Sequence, residues 1–364
     1  MVNITLPAGK TLLVSGPASL TLIEGEVAVL GAPVEKEDKL LIREEKQIPI
    51  EAVTDAALST SLGTNASLTE VEGSTIPNSW RSLAEAALEA AFPKIIAIGD
   101  VDSGKSTLCT YLANMLLNKY TRVSVIDADV GQSDIGPPTS IGLGVTDGYI
   151  LSLADIDPAS MFFVGHTSPA PVQDKVILGI RKLMELSSIN NSPIIINTDG
   201  WVADREACQF KASMINEISP DLVAVIQSER EIDPIMDAAS SPVIRVQSPA
   251  AIRKRTRDER RRLRELSYRR YLADAVTRQI SFDKVELRGA QVRNGRLLAA
   301  TQMLRSIVGF LDEKNLLSGI GILKGVEQKA KVLRIYTPMR RPVEVIEFGS
   351  VKLTDDGKEI QNTP

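Results

Sequence analysis

The sequence is poor in the residues that bind transition metals or form disulfides. It contains one histidine and two cysteines in 364 residues. Cys109 and Cys208 lie far apart in apolar contexts, which is typical of a reducing compartment. No run approaches the roughly 18 consecutive apolar residues of a membrane helix, and the first residues, MVNITLPAGK, lack the pattern of an export signal. We therefore expect a cytoplasmic protein with no membrane association.

A general excess of basic charge is also missing, but basic residues are concentrated in one segment. The chain has 42 Lys and Arg against 46 Asp and Glu, a net charge of −4. Residues 253–270, RKRTRDERRRLRELSYRR, have ten basic and three acidic side chains, a net charge of +7, so the remainder carries −11. This distribution indicates local anion handling and argues against a surface that coats nucleic acid.

Two kinds of pattern divide the chain. Length predicts two or three domains. Residues 1–75 read as short β-runs with Gly or Pro punctuation, which predicts a small N-terminal β domain. Residues 76–92 are a linker and an Ala-rich helix from about residue 82 to 91. A C-terminal β-rich domain is expected over 276–364.

Between these parts, residues 93–275 alternate apolar strands with amphipathic helices. This pattern predicts an α/β fold, a central parallel sheet with helices on both faces, flanked by the two mainly-β domains. The strands are predicted at 94–98, 122–127, 161–165, 193–197, 221–226 and 242–246.

The strongest motif is GDVDSGKST, which follows strand 94–98 and opens a helix. It matches G-x-x-x-x-G-K-[ST], a P-loop whose backbone amides surround a phosphate chain. Its lysine reaches the β- and γ-phosphates and its serine hydroxyl ligates Mg²⁺. The alternative is a glycine-rich turn that only joins strand to helix. The expected nucleotide-binding residues are Gly99, Asp102, Ser103, Gly104, Lys105, Ser106 and Thr107.

A second polar cluster follows the next strand, in VIDADVGQSDIGPP. Asp129 lies just past the strand's carboxyl end, where ligands bind in doubly wound sheets. There it would hold Mg²⁺ or accept a proton from an attacking hydroxyl. Gln132 would orient the same groups. The alternative is that these residues cap a strand and start a turn.

Two further features allow either a functional or a structural interpretation. In NTDGWV, residues 197–202, Trp201 would present its indole to a nucleobase or lie in the core. The Arg-rich segment would be a solvated helix or a mobile lid that neutralises a transferring phosphoryl group. The single histidine, His166, we interpret as local structure.

The order of these motifs resembles one family. GDVDSGKST, DVGQ, T-x-G-W and an Arg-rich lid, together with SGPASLTLIEGEVAVLGA near the start and SIVGFLDEKNLLSGIGILKG near the end, are similar to the polynucleotide 5′-hydroxyl kinases of RNA processing. That family includes the kinases of pre-mRNA cleavage and tRNA splicing, those of pre-rRNA processing, and archaeal relatives. The resemblance covers nearly the whole chain, and the combination of motifs is more specific than the P-loop alone.

The resemblance implies roles for individual residues. Lys105 and Ser106 correspond to the P-loop lysine and the Mg²⁺-binding hydroxyl, and Asp129 to the general base, also a candidate metal ligand. Gln132 completes the base motif, and Thr167 corresponds to a threonine that positions the reacting 5′ end. The substrate clasp T-x-G-W matches Thr198, Gly200 and Trp201. The lid arginines match Arg255 and Arg260, with Arg253 and Arg257 as the alternative register.

The reaction implied is transfer of the γ-phosphate of ATP, or another NTP, with Mg²⁺ to the 5′-hydroxyl of single-stranded RNA, with DNA as a further acceptor. RNA-processing proteins are the implied partners. Two alternatives stay open, an ATP-binding scaffold without catalysis and a P-loop ATPase switch. Both predict that no phosphate is transferred to a 5′-hydroxyl oligonucleotide.

Overall fold

The computed structural model describes residues 2–44, 46–188, 191–227 and 232–360. The chain divides into two compact units, which are described separately below. The first unit comprises Met1–Val125, Val145–Ile156 and Asn191–Lys254. The second unit comprises Ile126–Gly144, Asp157–Asn190 and Arg255–Pro364.

The first unit begins with short antiparallel strands. Their bounds are β1 (Val2–Leu6), β2 (Lys10–Ser15), β3 (Ala18–Glu24), β4 (Val27–Val29), β5 (Ala32–Val34), β6 (Lys39–Ile42), β7 (Gln47–Ala52), β8 (Ala56–Leu62) and β9 (Ser67–Glu72). They form one sheet of order β1-β8-β3-β6 and another of order β5-β4-β7-β2-β9. Buried and half-buried residues alternate along β7, because successive side chains of a strand point to opposite faces and one face is covered.

Helices and apolar strands alternate over the next part of the chain. The elements are α1 (Asn78–Glu89), β10 (Lys94–Gly99), α2 (Lys105–Leu117), β11 (Val123–Ala128), β12 (Ser140–Thr146), β13 (Pro158–Phe163), α3 (Gln173–Ser188), β14 (Ile194–Thr198), α4 (Arg205–Ile218), β15 (Leu222–Ile226), α5 (Asp233–Ala238) and β16 (Val243–Val246). Two 3₁₀ turns, Leu153–Asp155 and Ala170–Val172, lie between them. Within the first unit, β14, β10, β15 and β16 are adjacent and parallel in that order. Helix α2 packs against β10 and β14.

The parallel arrangement predicted for the strand at 161–165 is wrong. That strand, β13, pairs antiparallel with β12, a strand at 140–146 that the sequence patterns did not predict. A parallel pair needs a crossover connection of a dozen or more residues, usually a helix. The connection between β12 and β13 is 147–157 and contains a single 3₁₀ turn, so the chain returns antiparallel and the α/β part is mixed.

The second unit ends in a helix and a mixed sheet. The elements are α6 (Arg257–Tyr271), β17 (Val276–Ser281), β18 (Glu286–Arg288), β19 (Val292–Arg293), β20 (Arg296–Leu297), α7 (Ala300–Met303), β21 (Ser306–Leu311), β22 (Leu317–Glu327), β23 (Val332–Thr337) and β24 (Val345–Lys352). The large sheet has the order β17-β23-β22-β21-β24-β18. The Arg-rich segment is thus one helix with a short extended entry. In the described part of the chain, no helix has the length and apolarity needed to cross a membrane.

Buried apolar side chains fix α6 against this sheet. Tyr268 and Leu272 pack in one cluster with Phe163 of β13 and with residues of β21 and β22 such as Ile307 and Ile320. Burying side chains of this size stabilises the fold by about 1.5–3 kcal/mol each. The carboxyl-terminal end of the basic helix is therefore anchored, although most of its other residues are charged.

Candidate active site

Glycines shape the loop between β10 and α2. Gly104 has φ of +103°, a left-handed conformation that favours glycine. A Cβ at Gly99 would lie 2.8 Å from the carbonyl oxygen of Ile226, so a larger residue would displace the neighbouring strand. The loop thereby ends at a helix N-terminus, where backbone amides without helical partners attract anions.

Polar groups of this loop suit a phosphate chain. The Lys105 ammonium is buried and donates to the carbonyl oxygens of Gly99, at 3.0 Å, and Asp100, at 2.7 Å. The buried hydroxyl of Ser103 has no hydrogen-bond partner within the described ranges. Because phosphate oxygens would satisfy a donor of this kind, the residues present fit a nucleotide.

A segment after β16 lies beside the loop, which the sequence patterns did not indicate. The Ser248 hydroxyl donates to the carbonyl oxygen of Ser103 at 2.9 Å. A Cβ on Gly104 would lie 3.1 Å from Pro249 and 3.3 Å from Ile252. These three residues therefore help to enclose the phosphate-binding loop.

Asn197 is another site residue that was not predicted. It lies at the end of β14, one strand away from the loop, and its side chain is 1% exposed. Its Nδ2 is 3.4 Å from the hydroxyl oxygen of Ser106. Thr107, by contrast, is one of the predicted nucleotide-binding residues, and it is half-buried in the first turn of α2.

The chemistry of these groups fits magnesium bound together with a nucleotide. No cluster of three or more His, Cys, Asp or Glu that could hold a metal occurs among the described residues. Mg²⁺ in such sites takes few protein ligands and keeps waters and substrate phosphates. Ser106 supplies a hydroxyl of the type that P-loops use for this ion, and Asn197 is placed to orient it.

The T-x-G-W segment is brought against the P-loop within the first unit. Thr198 is fully buried and its hydroxyl donates to the carbonyl oxygen of Ala97 at 2.8 Å. A Cβ on Gly200 would lie 2.6 Å from the backbone nitrogen of Val101. The segment and the loop therefore share backbone contacts, and glycine is required at position 200.

Trp201 is half-buried at the start of the connection to α4. Its indole Nε1 donates to the Asp204 carboxylate at 2.7 Å, and its ring lies 5.9 Å from that of Phe210. Hydrogen bonds from the amide of Ala207 and from this indole hold the pKa of Asp204 below its ordinary value. One part of the ring is thus fixed by α4 while the rest remains accessible.

Asp129 is held in the second unit by a tight turn. Its Oδ1 accepts hydrogen bonds from the amides of Gly131 at 3.1 Å and Gln132 at 2.9 Å. The preceding Asp127 is fully buried, and its Oδ2 accepts from the amide of Asp134 at 2.6 Å. These amide donors fix the orientation of both carboxylates within the turn.

The Asp129 turn contacts both α6, the helix of the Arg-rich segment, and the Thr167 segment. Gln132 Nε2 donates to the carbonyl oxygen of Arg260 at 3.1 Å. Arg260 Nη1 donates in turn to the carbonyl oxygen of Arg255 at 2.6 Å. A Cβ on Gly131 would lie 2.8 Å from the carbonyl oxygen of Thr167. The second unit therefore brings together all five of its predicted site residues.

A capping box marks the start of helix α6. Thr256 and Glu259 form a reciprocal capping box that satisfies two backbone donors at the first turn. Arg257, one of the alternative lid arginines, is the exposed first residue of α6. Arg253, the other, precedes the helix within the first unit.

The Thr167 segment is held by the last strand of the second unit. His166 Nδ1 and the Ser350 hydroxyl are 2.9 Å apart, and the Ser350 amide donates to the carbonyl oxygen of Gly165. Burial, and then the nearby Lys175 ammonium, lower the pKa of His166. The interpretation of His166 as local structure stays a prediction.

Comparisons with known proteins give matches over the segment that contains the motifs. Residues 99–274 match the family described as mRNA cleavage and polyadenylation factor CLP1 P-loop. A polyribonucleotide 5′-hydroxyl-kinase of Pyrococcus furiosus is 27% identical over 317 residues, covering 73% of this chain and 89% of that protein. One of Methanocaldococcus jannaschii is 27% identical over 323 residues, covering 73% and 89%.

A solved structure shares the fold. The structure of a wild-type Clp1p–Pcf11p complex matches with a TM-score of 0.74 at 14% identity, covering 96% of this chain and 97% of the other. The similarity thus extends beyond the P-loop to nearly the whole described chain. The predicted resemblance to the polynucleotide 5′-hydroxyl kinases of RNA processing is confirmed by the match to the P-loop family over residues 99–274 and by these archaeal relatives.

Proposed function

We propose that the protein is a polynucleotide 5′-hydroxyl kinase that transfers the γ-phosphate of ATP, or another NTP, to the 5′-hydroxyl end of RNA. DNA is a second acceptor in this proposal, and the role is in RNA processing or repair. The observation that carries it is the turn in which Asp129 is fixed by two amides while Gln132 of the same turn contacts the lid helix at Arg260. A nucleotide switch has no need of a base connected to an arginine lid.

The P-loop binds and orients the nucleotide in this mechanism. Its amides hold the phosphates, and Lys105 exchanges its bonds to the carbonyls of Gly99 and Asp100 for bonds to phosphate oxygens. When bound, Mg²⁺ neutralises charge on the β- and γ-phosphates. Ser106 would hold it, with Asn197 orienting the serine hydroxyl.

The second unit supplies the base and the arginines. Asp129 accepts the proton of the attacking 5′-hydroxyl, and the amides on its Oδ1 fix the orientation of the carboxylate. Arg255 and Arg260 stabilise the charge of the transferring phosphoryl group, a role that contributes on the order of 10³-fold or more for arginines of this type. Thr167 and Gln132 position the 5′ end.

The clasp completes substrate binding. Trp201 stacks on the terminal base, with Gly200 and Thr198 fixing the segment that carries it. Stacking is tolerant of sequence because every base has a π-face, so the enzyme selects for a free end and accepts many sequences.

Architecture, partners and location extend the proposal. The layout is an N-terminal β domain (1–75), a linker and helix (76–92), a kinase domain (93–275) with a mixed sheet covered by helices on both faces, and a C-terminal β-rich domain (276–364). Proteins of RNA processing are the proposed partners. Cys109 and Cys208 form no disulfide in the described part of the chain, which supports a reducing cytoplasm as the location.

The test uses Asp129→Asn with Asp147→Asn, an exposed aspartate, as the matched control. Wild type and Asp147→Asn should move γ-labelled phosphate from ATP to a 5′-hydroxyl RNA. Asp129→Asn should bind a fluorescent ATP analogue normally but lose transfer by about 10²–10⁴-fold. Normal ATP binding without transfer in the wild type would refute the kinase and support the scaffold.

A further inference from the structure

A buried ion pair lies behind the clasp. Lys211, in the middle of α4, has a fully buried side chain, and that of Asp199 is 7% exposed. Lys211 Nζ is 2.6 Å from Asp199 Oδ2 and also 3.3 Å from the carbonyl oxygen of Asp199. Removing both charges from water is costly, and apolar residues of similar volume often serve stability as well. The pair therefore calls for a role beyond packing.

The Asp199 carboxylate connects Lys211 to the backbone of Trp201. While Oδ2 binds Lys211, Oδ1 of the same carboxylate accepts the backbone amide of Trp201 at 2.9 Å. Gly200, between the two residues, packs against Val101 of the P-loop. A movement of the carboxylate would thus displace the peptide of Trp201.

The indole is fixed by the same helix. Asp204, the N-cap of α4, accepts from Trp201 Nε1, and Phe210 lies against the ring. Phe210 is adjacent to Lys211, whose ammonium lies 5.1 Å from the centre of the Phe210 ring. Helix α4 therefore holds Trp201 at its backbone through the ion pair and at its ring through two side chains.

Charge gives a second reason for the pair. The Asp199 carboxylate lies in the segment that packs on the P-loop, where a polyanionic ligand binds. An uncompensated carboxylate in a buried setting would repel phosphates strongly. The ammonium of Lys211, 2.6 Å from Asp199 Oδ2, compensates this charge.

We infer that Lys211 and Asp199 are positioning residues that preorganise Trp201 for the terminal base of a 5′-hydroxyl strand. This inference rests on the proposed function. Lys211→Met leaves a bare buried carboxylate, so the Trp201 segment should shift. The KM for the RNA should rise by about tenfold or more, as small misplacements of binding groups cause, while the KM for ATP changes much less.

A double variant separates positioning from stability. Asp199→Asn keeps an acceptor for the Trp201 amide but leaves a buried ammonium alone. In Lys211→Met/Asp199→Asn both charges are gone and the acceptor remains, so the KM for RNA should return to within about threefold of the wild type, which is non-additive behaviour. If Lys211→Met fails to fold, the comparison of Asp199→Asn with the double variant makes the same test.

The control is Met214→Ala, a fully buried residue about one turn further along α4, which should lower the Tm. Among the described residues, Met214 is neither a hydrogen-bond partner nor a ring partner of Trp201. Acrylamide quenching of Trp201 fluorescence, in a Trp80→Phe background, is measured in parallel. Lys211→Met should increase quenching and Met214→Ala should not. Equal KM and quenching in the two variants would overturn the inference. If the wild type transfers no phosphate, the proposed function fails, and the quenching result still decides the positioning role.

Discussion

The side-chain amide of Gln132 donates a hydrogen bond to the carbonyl oxygen of Arg260 at 3.1 Å, while the backbone amide of Gln132 binds Asp129 at 2.9 Å. Gln132 therefore joins the proposed base to the first turn of α6. The contact is directional, so the base turn and the arginines adopt one arrangement relative to each other within the second unit.

Loss of this contact should slow the chemical step. In Gln132→Ala the backbone bond to Asp129 persists but the bond to Arg260 is lost, so the lid arginines are less well placed. We expect kcat to fall by about 10–100-fold, with little change in ATP affinity. Steady-state kinetics with Gln279→Ala, an exposed glutamine, as control measure this, and an unchanged kcat would show that Gln132 does not couple base and lid.

Asn197 should influence the magnesium requirement. Because its Nδ2 lies 3.4 Å from Ser106 Oγ, Asn197→Ala removes a group that orients the proposed ligand. Outer partners of this kind contribute about 10–100-fold to metal affinity or activity. A Mg²⁺ titration of transfer should therefore shift to higher concentration by that factor.

The matched control is Asn114→Ala. Asn114 is also fully buried, lies in α2, and bonds the backbone of Leu30 and Ile150. This variant should lower the Tm while the Mg²⁺ titration stays in place. Identical titration shifts in both variants would assign the effect to general destabilisation of the fold.

Gly200 should not tolerate a methyl group. A Cβ there would lie 2.6 Å from the nitrogen and 2.7 Å from the Cα of Val101, and backbone atoms cannot rotate away. Gly200→Ala should displace both the clasp and the P-loop, so that transfer falls by about 10²-fold or more. Gly148→Ala, where nothing lies within 4 Å, should behave as wild type, and a fully active Gly200→Ala would contradict the close approach.

The free energy of unfolding should decrease in mild acid because of His166. Its pKa is lowered by burial and by Lys175, so the unfolded chain binds this proton more readily than the folded chain. The contribution is therefore present above the ordinary pKa of about 6.5 and decreases as the pH falls from there toward the lowered folded value. Between pH 7.5 and 5.5, His166→Asn should lose less Tm than the wild type. An equal loss would rule out His166 as the source.

Much of the α/β part was predictable because buried strands read as continuous apolar runs. The strands predicted at 94–98, 221–226 and 242–246 differ from β10, β15 and β16 by one residue at one end, and the strand predicted at 193–197 differs from β14 by one residue at both ends. Strand β12 was missed because Gly142 and Gly144 interrupt its apolar pattern, and glycine weakens a strand signal.

The sequence also placed the motifs, but not the contacts between them. Three of these contacts each join residues at least twelve positions apart in the sequence: Asn197 with Ser106, Gln132 with Arg260, and Lys211 with Asp199. No local periodicity encodes such pairs, since they depend on which strand ends and helices become neighbours. A charged residue on the otherwise apolar buried face of a helix, such as Lys211 between Phe210 and Met214 in α4, is the one available signal.

The kinase activity can be measured on the unaltered protein as the transfer of γ-labelled phosphate from ATP to a 5′-hydroxyl RNA oligonucleotide. The same oligonucleotide with a 5′-phosphate serves as the blank. We expect label on the 5′-hydroxyl strand, at its first nucleotide, and none on the blank. Release of inorganic phosphate with no label on either strand would contradict this expectation and indicate an ATPase.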